Sequence, residues 1–495
     1  MRWREALEPV AMERVALLAP SGALREVLAT TADAGSVQLD DAGPDLEAGA
    51  AAGSAAARLL RLHPGADLSP TLSSSPPDLD ECERTGRVDL IAGEAELDRR
   101  AGQALTRGSV SGLVGWIPSE RLPELAERVA PSGGAVLALP RPPGSLPPTL
   151  LAETGAAREF APLVETYATI PYADVNPSLV AGLAYVVMFG MMFADVGQGA
   201  LLVLAAIAVR LGWSNRLDRL RPVWLFLLGA GLASMAFGAL YGEFFGPTGL
   251  LPVLWLDPLD RPVELLVTGI AVGAVLLAGA YALGIINRFR EGGWRRAVYA
   301  PSGVAGATLF LGLGGVVGGV YLHYAWLAWL GGLLTAAGMT TAYAGLLAAA
   351  GGGGAGAAQA GIELFDLVVR LGSNLVSFAR LAAFGLTHAA LGAVVWEATT
   401  GLWSGGGLVA VVAAPLVFLV GNAVSFALEG LVAGIQALRL EYYELFSRVF
   451  DGEGLPFRPW HIPIDRPVEQ AARDITPDHP FDPDRFEPLD QTARP

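Results

Sequence analysis

Long apolar segments begin near residue 178 and recur as far as residue 447, whereas the first 175 residues alternate short apolar and polar stretches. The apolar blocks lie at 178–209, 222–245, 263–287, 297–320 and 323–350, followed by two longer segments at 363–403 and 408–447. A helix needs about 20 apolar residues to cross the ~30 Å hydrocarbon core of a bilayer. The pattern therefore predicts an α-helical polytopic membrane protein. Its last two helices should be long and steeply tilted, or should continue beyond the membrane.

Residues 1–165 carry the shorter patterns of a small α+β domain. Strands are predicted at 12–19, 36–39, 87–93, 110–118 and 134–139, and helices at 21–32, 94–105 and 119–130. Residues 42–80 are rich in Ala, Gly, Ser and Pro, so a flexible connection with at most one short helix is predicted there. A proline-rich linker follows near residue 148, and the membrane domain is predicted to span 166–460.

Arginine in the loops predicts the orientation of the spans. The loops at 210–221 and 288–296 are rich in arginine, which places both on the cytoplasmic side. If the block at 178–209 is a hairpin that turns at 195–199, residues 1–165 stay in the cytoplasm, in keeping with the absence of a signal-peptide pattern. This arrangement predicts about eight spans, with the N- and C-termini both cytoplasmic.

The two long segments carry charges where a membrane helix should have none. Arg380 and His388 lie in the first, and Glu429 and Arg439 in the second. The two helices should run antiparallel, so residues at equal depth have a nearly constant sum of residue numbers. By this count the two arginines share one level, and His388 and Glu429 share another, about two turns away.

Polar residues extend these positions into stripes at helical spacing. The supporting residues are Ser377, Thr387, Asn422, Ser425 and Gln436. Polar stripes inside a membrane indicate a wet path or a buried ion network. The alternative is a salt bridge between Arg380 and Glu429 that only holds the helices together. Arg370, Glu441, Glu444 and Arg448 are expected to be solvated residues at the helix ends.

The amino-acid composition excludes several kinds of function. The formal charge of −15 disfavours nucleic acid as a partner. All 33 basic residues are arginine, so a phosphate-binding loop with lysine is excluded, and ATP hydrolysis by this chain alone is not expected. The single cysteine, Cys82, excludes an internal disulfide. No catalytic site, metal or cofactor is predicted, and the acidic, proline-containing tail at 461–495 is expected to be disordered.

At the charged helices the chain resembles the membrane subunit a of rotary V-type ATPases, called subunit I in bacteria and archaea. The resemblance is carried by PYADVNPS (171–178), MFGMMFADVGQG (188–199), YGEFFG (241–246), LVSFARLAAFGLTHAAL (375–391) and LEGLVAGIQALRLEYYELFSRVFDGEGLPFRPW (428–460). These stretches span most of the chain from 165 to 460 in a specific order.

The resemblance implies a stator beside a rotating ring of proteolipid subunits, in a cell membrane. Arg380 would be the essential arginine that meets each ring carboxylate, and Arg439 would support it. Glu429 and His388 would be proton-relay groups on the outer side. Peripheral-stalk subunits are implied as partners of the N-terminal domain, with central-stalk and catalytic subunits as indirect partners and membrane lipid around the helices. Residues 42–85 are too short for the long arm of larger members.

A stand-alone ion-coupled secondary transporter with an Arg380–Glu429 site is the alternative. Such transporters have repeat symmetry and paired broken helices, and no repeat is visible here. The choice between H⁺ and Na⁺ stays open because it depends largely on the ring, although His388 and Glu429 favour protons. The direction, ATP synthesis or hydrolysis, stays open as well.

Overall fold

The computed structural model describes residues 9–40, 54–62, 69–142, 144–151, 156–213, 221, 223–450 and 452–465. The chain divides into two compact units. Residues 11–147 and 457–495 belong to one, here called the sheet unit, and residues 1–10 and 148–456 belong to the other, the helical unit. The sequence-based boundaries lie elsewhere, at 165/166 and 460/461.

The sheet unit is built on a main antiparallel sheet, whose two longest strands, Met12–Pro20 and Val110–Pro118, are largely buried. Its elements are Met12–Pro20 (β1), Leu24–Ala34 (α1), Gln38–Leu39 (β2), Ser54–Leu62 (α2), Leu72–Ser73 (β3), Leu79–Thr85 (α3), Val88–Gly102 (α4), Leu105–Arg107 (β4), Val110–Pro118 (β5), Leu122–Val129 (α5) and Ala135–Leu139 (β6). The main sheet has the order β2-β5-β1-β6, with β4 paired to β5. Helices α1 and α5 bury Leu28 and Leu125 in the core beside this sheet.

The strand predicted at 87–93 is wrong, because these residues form the start of α4. A short apolar run cannot by itself distinguish a strand from a buried helix. Ile91 and Leu97 are buried by the helix, and Gly93 lies against the backbone of Thr71, where a β-carbon would stand 2.0 Å from the carbonyl oxygen. Helix α4 therefore begins at Val88, inside the segment that was predicted to be a strand.

The segment at 457–465 packs into the sheet unit. Trp460 and Ile462 are 8% and 2% exposed and belong to its core. Ile464–Asp465 (β7) pairs in parallel with β3. The expected disorder of the tail is therefore wrong for residues 461–465, because their apolar side chains and backbone groups find partners in this unit. Residues 41–53, 63–68 and 466–495 lie outside the described residues, so the remaining predictions for these segments are untested.

The helical unit consists of one short helix followed by apolar helices. They are Ala156–Glu165 (α6), Ser178–Met192 (α7), Val196–Arg210 (α8), Trp224–Tyr241 (α9), Pro262–Tyr299 (α10), Val304–Tyr321 (α11), Ala325–Ala349 (α12), Gly353–Ser377 (α13), Ala379–Ser404 (α14) and Leu408–Leu440 (α15). One π-helical turn, Glu441–Phe446, continues α15. The described part of the chain is mostly helical, as predicted.

Six helical stretches are long and apolar enough to cross a membrane among the described residues, counting α13 with α14 and α15 with its continuation as one stretch each. Helices α7 and α8 are apolar but have only 15 residues each. They are separated by Phe193, Ala194 and Asp195, next to the turn predicted at 195–199. The last long stretch, Val409–Val449, has 41 residues, which corresponds to about 60 Å of helix, twice the thickness of the hydrocarbon core.

Candidate ion-translocation site

A buried histidine–carboxylate pair joins the two long helices. His388 on α14 hydrogen-bonds through Nδ1 to the Glu429 carboxylate on α15. Their side chains are only 5% and 13% exposed. The ring of Phe193 covers His388 at a centroid distance of 5.0 Å. His388 and Glu429 therefore lie at the same level of the two helices, as the sum of their residue numbers predicts for an antiparallel pair.

Two further carboxylates surround this histidine, and residue counting did not identify either as part of the site. Asp195 is fully buried, and Glu243 is 4% exposed. Both interact electrostatically with His388. Asp195 also fixes the local backbone, since its oxygens accept hydrogen bonds from the amides of Gln198 at 2.8 Å and Gly246 at 2.9 Å.

The signal for these two residues was present in the sequence. Asp195 occurs in MFADVGQG and Glu243 in YGEFFG, two of the stretches that carry the family resemblance. The predicted turn at 195–199 contains Asp195, and the turn pattern alone indicates no role in ion transfer for this residue. The amide of Val196 donates to the carbonyl of Glu243 at 3.0 Å, which ties the α7–α8 turn to the loop after α9. One carboxylate oxygen of Glu243 is buried without a hydrogen-bond partner in the described part of the chain.

Arg380 lies just after the break between α13 and α14. Its guanidinium donates to the Ser377 hydroxyl and lies 3.3 Å from a carboxylate oxygen of Glu444. The Ser377 hydroxyl donates to the same carboxylate oxygen. The break is located at Phe378, whose buried ring packs against Gly273 of α10. The helix interruption thus places the arginine where two polar groups anchor its side chain.

Arg439 differs from Arg380 in its surroundings. It is exposed, and no carboxylate pairs with it among the residues that the structure describes. It lines an open cleft of about 730 Å³ together with Tyr442, Tyr443 and Glu444. The two guanidinium groups are close enough to repel each other electrostatically. The alternative salt bridge between Arg380 and Glu429 does not form, since Glu429 contacts His388 and Arg380 contacts Glu444.

The supporting polar residues occupy different environments. Asn422 is buried; its Nδ2 donates to the Phe418 carbonyl at 3.0 Å, and its Oδ1 accepts from Gln198 at 3.4 Å. Ser425 and Gln436 each have a buried oxygen without a partner among the described residues. Thr387 is exposed, and its hydroxyl donates to the carbonyl of its own preceding turn. Ser377 is the supporting residue that hydrogen-bonds to the Arg380–Glu444 ion pair.

Three of the residues expected to be solvated at the helix ends are buried, so that expectation is wrong for them. Glu441 is fully buried, and Glu444 and Arg448 are each 8% exposed. The guanidinium of Arg448 lies 5.6 Å from the centre of the Tyr281 ring. Glu441 and Glu444 lie in the π-helical turn, and Arg448 lies just after it. Arg370 is exposed and pairs with Asp366, as expected for a solvated end.

Comparison with known proteins places these residues in a family. A model of the V-type ATPase 116kDa subunit family matches residues 111–249 and 359–462. The second range contains both arginines and the His388–Glu429 pair, and the first contains Asp195 and Glu243. The chain belongs to the V-type ATPase 116kDa subunit family.

Archaeal relatives support the same family. The chain is 28% identical to an A-type ATP synthase subunit I of Aeropyrum pernix over 71% of this chain and 57% of that relative. It is 26% identical to the subunit I of Archaeoglobus fulgidus over 70% of this chain and 58% of that protein. It is 26% identical to the subunit I of Pyrococcus horikoshii over 70% of this chain and 53% of that protein. This member of the V-type ATPase 116kDa subunit family thus matches only a little over half the length of these relatives.

Proposed function

We propose that this chain is the stationary membrane subunit of a rotary V-type ATPase or ATP synthase. It would form a proton path at the interface with a ring of proteolipid subunits. The observation that carries the proposal is an exposed Arg439, without a carboxylate partner in the described part of the chain, on a membrane helix beside Arg380. An arginine facing hydrocarbon is costly, so such a residue is retained where a partner supplies a negative charge. The names of the archaeal relatives, A-type ATP synthase subunit I, support this assignment.

Arg380 would meet the carboxylate of each passing ring subunit. A fixed cation lowers the pKa of a nearby carboxyl group, so the ring carboxyl releases its proton opposite the arginine and regains it elsewhere. Ser377 and Glu444 hold the guanidinium in place, so little reorganisation is needed at each step. Arginine suits this position because it stays charged where a buried lysine loses its proton.

The cluster around His388 would carry protons on the outer side. His388 and Glu429 share a hydrogen bond, and Asp195 and Glu243 lie close enough to act on the histidine electrostatically. A histidine whose proton is shared with a carboxylate can pass that proton on without a large energetic penalty. The cluster thus gives a chain of titratable groups on one side of the arginine level.

The arginine-rich loops support a cytoplasmic location for both termini in a cell membrane. Six long spans, with α7 and α8 as a further hairpin, would give about eight crossings. The sheet unit would then be cytoplasmic and would contact peripheral-stalk subunits. Central-stalk and catalytic subunits would act on this chain indirectly, through the ring and the stalks.

The secondary-transporter alternative is less well supported. It requires Arg380 and Glu429 to form one substrate site, yet each of them contacts a different partner. No observation on the described residues favours it over the stator.

ATP-driven proton uptake into vesicles that hold the assembled complex tests the proposal. Arg380→Ala should abolish uptake while the complex remains assembled and still hydrolyses ATP. Arg370→Ala is the matched control, because it removes an exposed arginine from the preceding helix. Uptake at near the wild-type rate in Arg380→Ala would show that Arg380 is structural and would remove the basis for the stator assignment.

A further inference from the structure

The helical unit contains an apolar cavity on the side of the second long helix that is turned away from the polar stripe. Its volume is about 620 Å³, within the range of pockets that bind small organic molecules. Its walls come from α7, from α10 and from the π-helical turn and the residues that follow it. Leu183 and Val275, which line it, are 64% and 72% exposed. The cavity is therefore open on a surface that faces lipid in a membrane.

One carboxyl group stands in this apolar wall. Glu441 is 0% exposed, and neither of its carboxylate oxygens has a hydrogen-bond partner among the described residues. The only other side-chain polar group among the described residues of the wall is the hydroxyl of Thr268, which donates to the carbonyl of Glu264. A buried carboxyl group without a partner is costly, and an unpaired carboxylate is far more so. A ligand that supplies a donor or a positive charge would remove this cost.

We propose that this cavity binds a lipophilic amine that enters from the membrane. The ammonium group would pair with Glu441, and the apolar body would lie along α7 and α10. This occupant follows from charge complementarity, because the one ionisable group that the structure describes on the wall is an acid. A phospholipid head group is disfavoured, since the described wall offers its phosphate no cation. Water fits poorly, because a buried water needs two to four polar partners and the wall provides few.

The site is distinct from the proposed ion path. Arg439 and Tyr443 line the cleft on the polar side of the helix, whereas Glu441 lines the apolar cavity. Amine binding does not depend on whether the chain works as a stator, so it can be tested without a functional complex.

Photolabelling of the full-length chain in lipid nanodiscs tests the proposal. The probe is dodecylamine with a diazirine in its alkyl chain, and mass spectrometry locates the label. Labelling of peptides from α7 or α10 should be saturable. It should be displaced by unlabelled dodecylamine and not by dodecanol, which has the same chain without the positive charge. Equal displacement by dodecanol would mean that the cavity only accommodates apolar chains, and this result would overturn the proposal.

Two variants separate the carboxyl group from the cavity. Glu441→Gln should weaken amine binding at least about tenfold, because it removes a charge-assisted hydrogen bond. Gly279→Leu should also abolish labelling, since Gly279 lines the cavity and nothing lies within 4 Å of the place that a β-carbon would take, so that a leucine fills the space. The control is Glu397→Gln, at an exposed acid on α14. Wild-type labelling in a folded Glu441→Gln protein would refute the proposal. If that variant fails to fold, unchanged labelling of Gly279→Leu would refute it.

Discussion

The C-terminal segment at 457–465 should be an integral part of the sheet unit. Trp460 donates its backbone amide to the Val37 carbonyl at 2.8 Å, and Ile462 donates to Ala32 at 3.1 Å. The Leu72 amide donates to the Pro463 carbonyl at 2.9 Å. A chain that stops after residue 456 loses all of these contacts. A chain that stops after residue 465 keeps them and loses only the acidic tail.

The expected loss of stability is large. Removing a buried tryptophan side chain costs about 3–5 kcal/mol, and removing a buried isoleucine costs about 2–5 kcal/mol. Trp460 and Ile462 are 8% and 2% exposed, so both belong in this class. The two side chains together therefore contribute at least about 5 kcal/mol. A typical domain has a total stability of about 5–15 kcal/mol, so the shorter chain should lose about a third or more of the stability of the sheet unit.

Hydrogen–deuterium exchange on the membrane-inserted protein measures this effect. Amides of β1 and β5 should exchange much faster in the chain that stops at 456 than in the chain that stops at 465. Peptides from α11 in the helical unit serve as an internal reference and should not change. Equal protection of β1 and β5 in the two truncations would refute the reasoning, because it would show that the segment contributes little to the sheet unit.

Three further predictions concern the helical unit. Burial raises the pKa of Asp174 from 3.8 to about 7, so its folded state holds a proton that the unfolded state releases. The free energy of unfolding should therefore fall by up to about 1.4 kcal/mol per pH unit as the pH rises from 5 to 7. The melting temperature should fall with it, and Asp174→Asn should flatten this pH dependence. Gly273→Ala should lower the melting temperature, since a β-carbon would lie 2.2 Å from the Phe378 ring, whereas Gly279→Ala, in open space, should be neutral. Glu243→Gln should slow ATP-driven proton uptake at least about tenfold in an assembled complex, and an unchanged rate would remove this residue from the path.

The depth of the His388–Glu429 pair could be predicted because α-helices are regular. Two antiparallel helices with a fixed rise per residue place residues of equal depth at a constant sum of residue numbers. The break before α8 could also be predicted, since Asp195 and the glycines after it favour a turn and a helix start. Both predictions use only local geometry, and both agree with the contacts in the structure.

The contacts of Arg380 could not be predicted in the same way. Residue counting assumes unbroken α-helices, but the first long helix is interrupted at Phe378 and the second widens into a π-helical turn. The extra residue in that turn rotates the following side chains around the axis. Glu444, within this turn, pairs with Arg380, and Glu441, at its start, lines the apolar cavity, although their positions in the sequence indicated solvated helix ends.

The second long helix thus presents two chemically different surfaces within a few residues. On one surface Arg439 is exposed and lacks a carboxylate partner among the described residues. On the opposite surface Glu441 is buried in apolar surroundings, without a partner that the structure describes. Under the proposed function, a ring carboxylate would balance the charge of Arg439 only transiently, as each ring subunit passes. The two arginines would then act differently: Ser377 and Glu444 hold Arg380 in place, whereas Arg439 stays open to the ring and supports the field around Arg380.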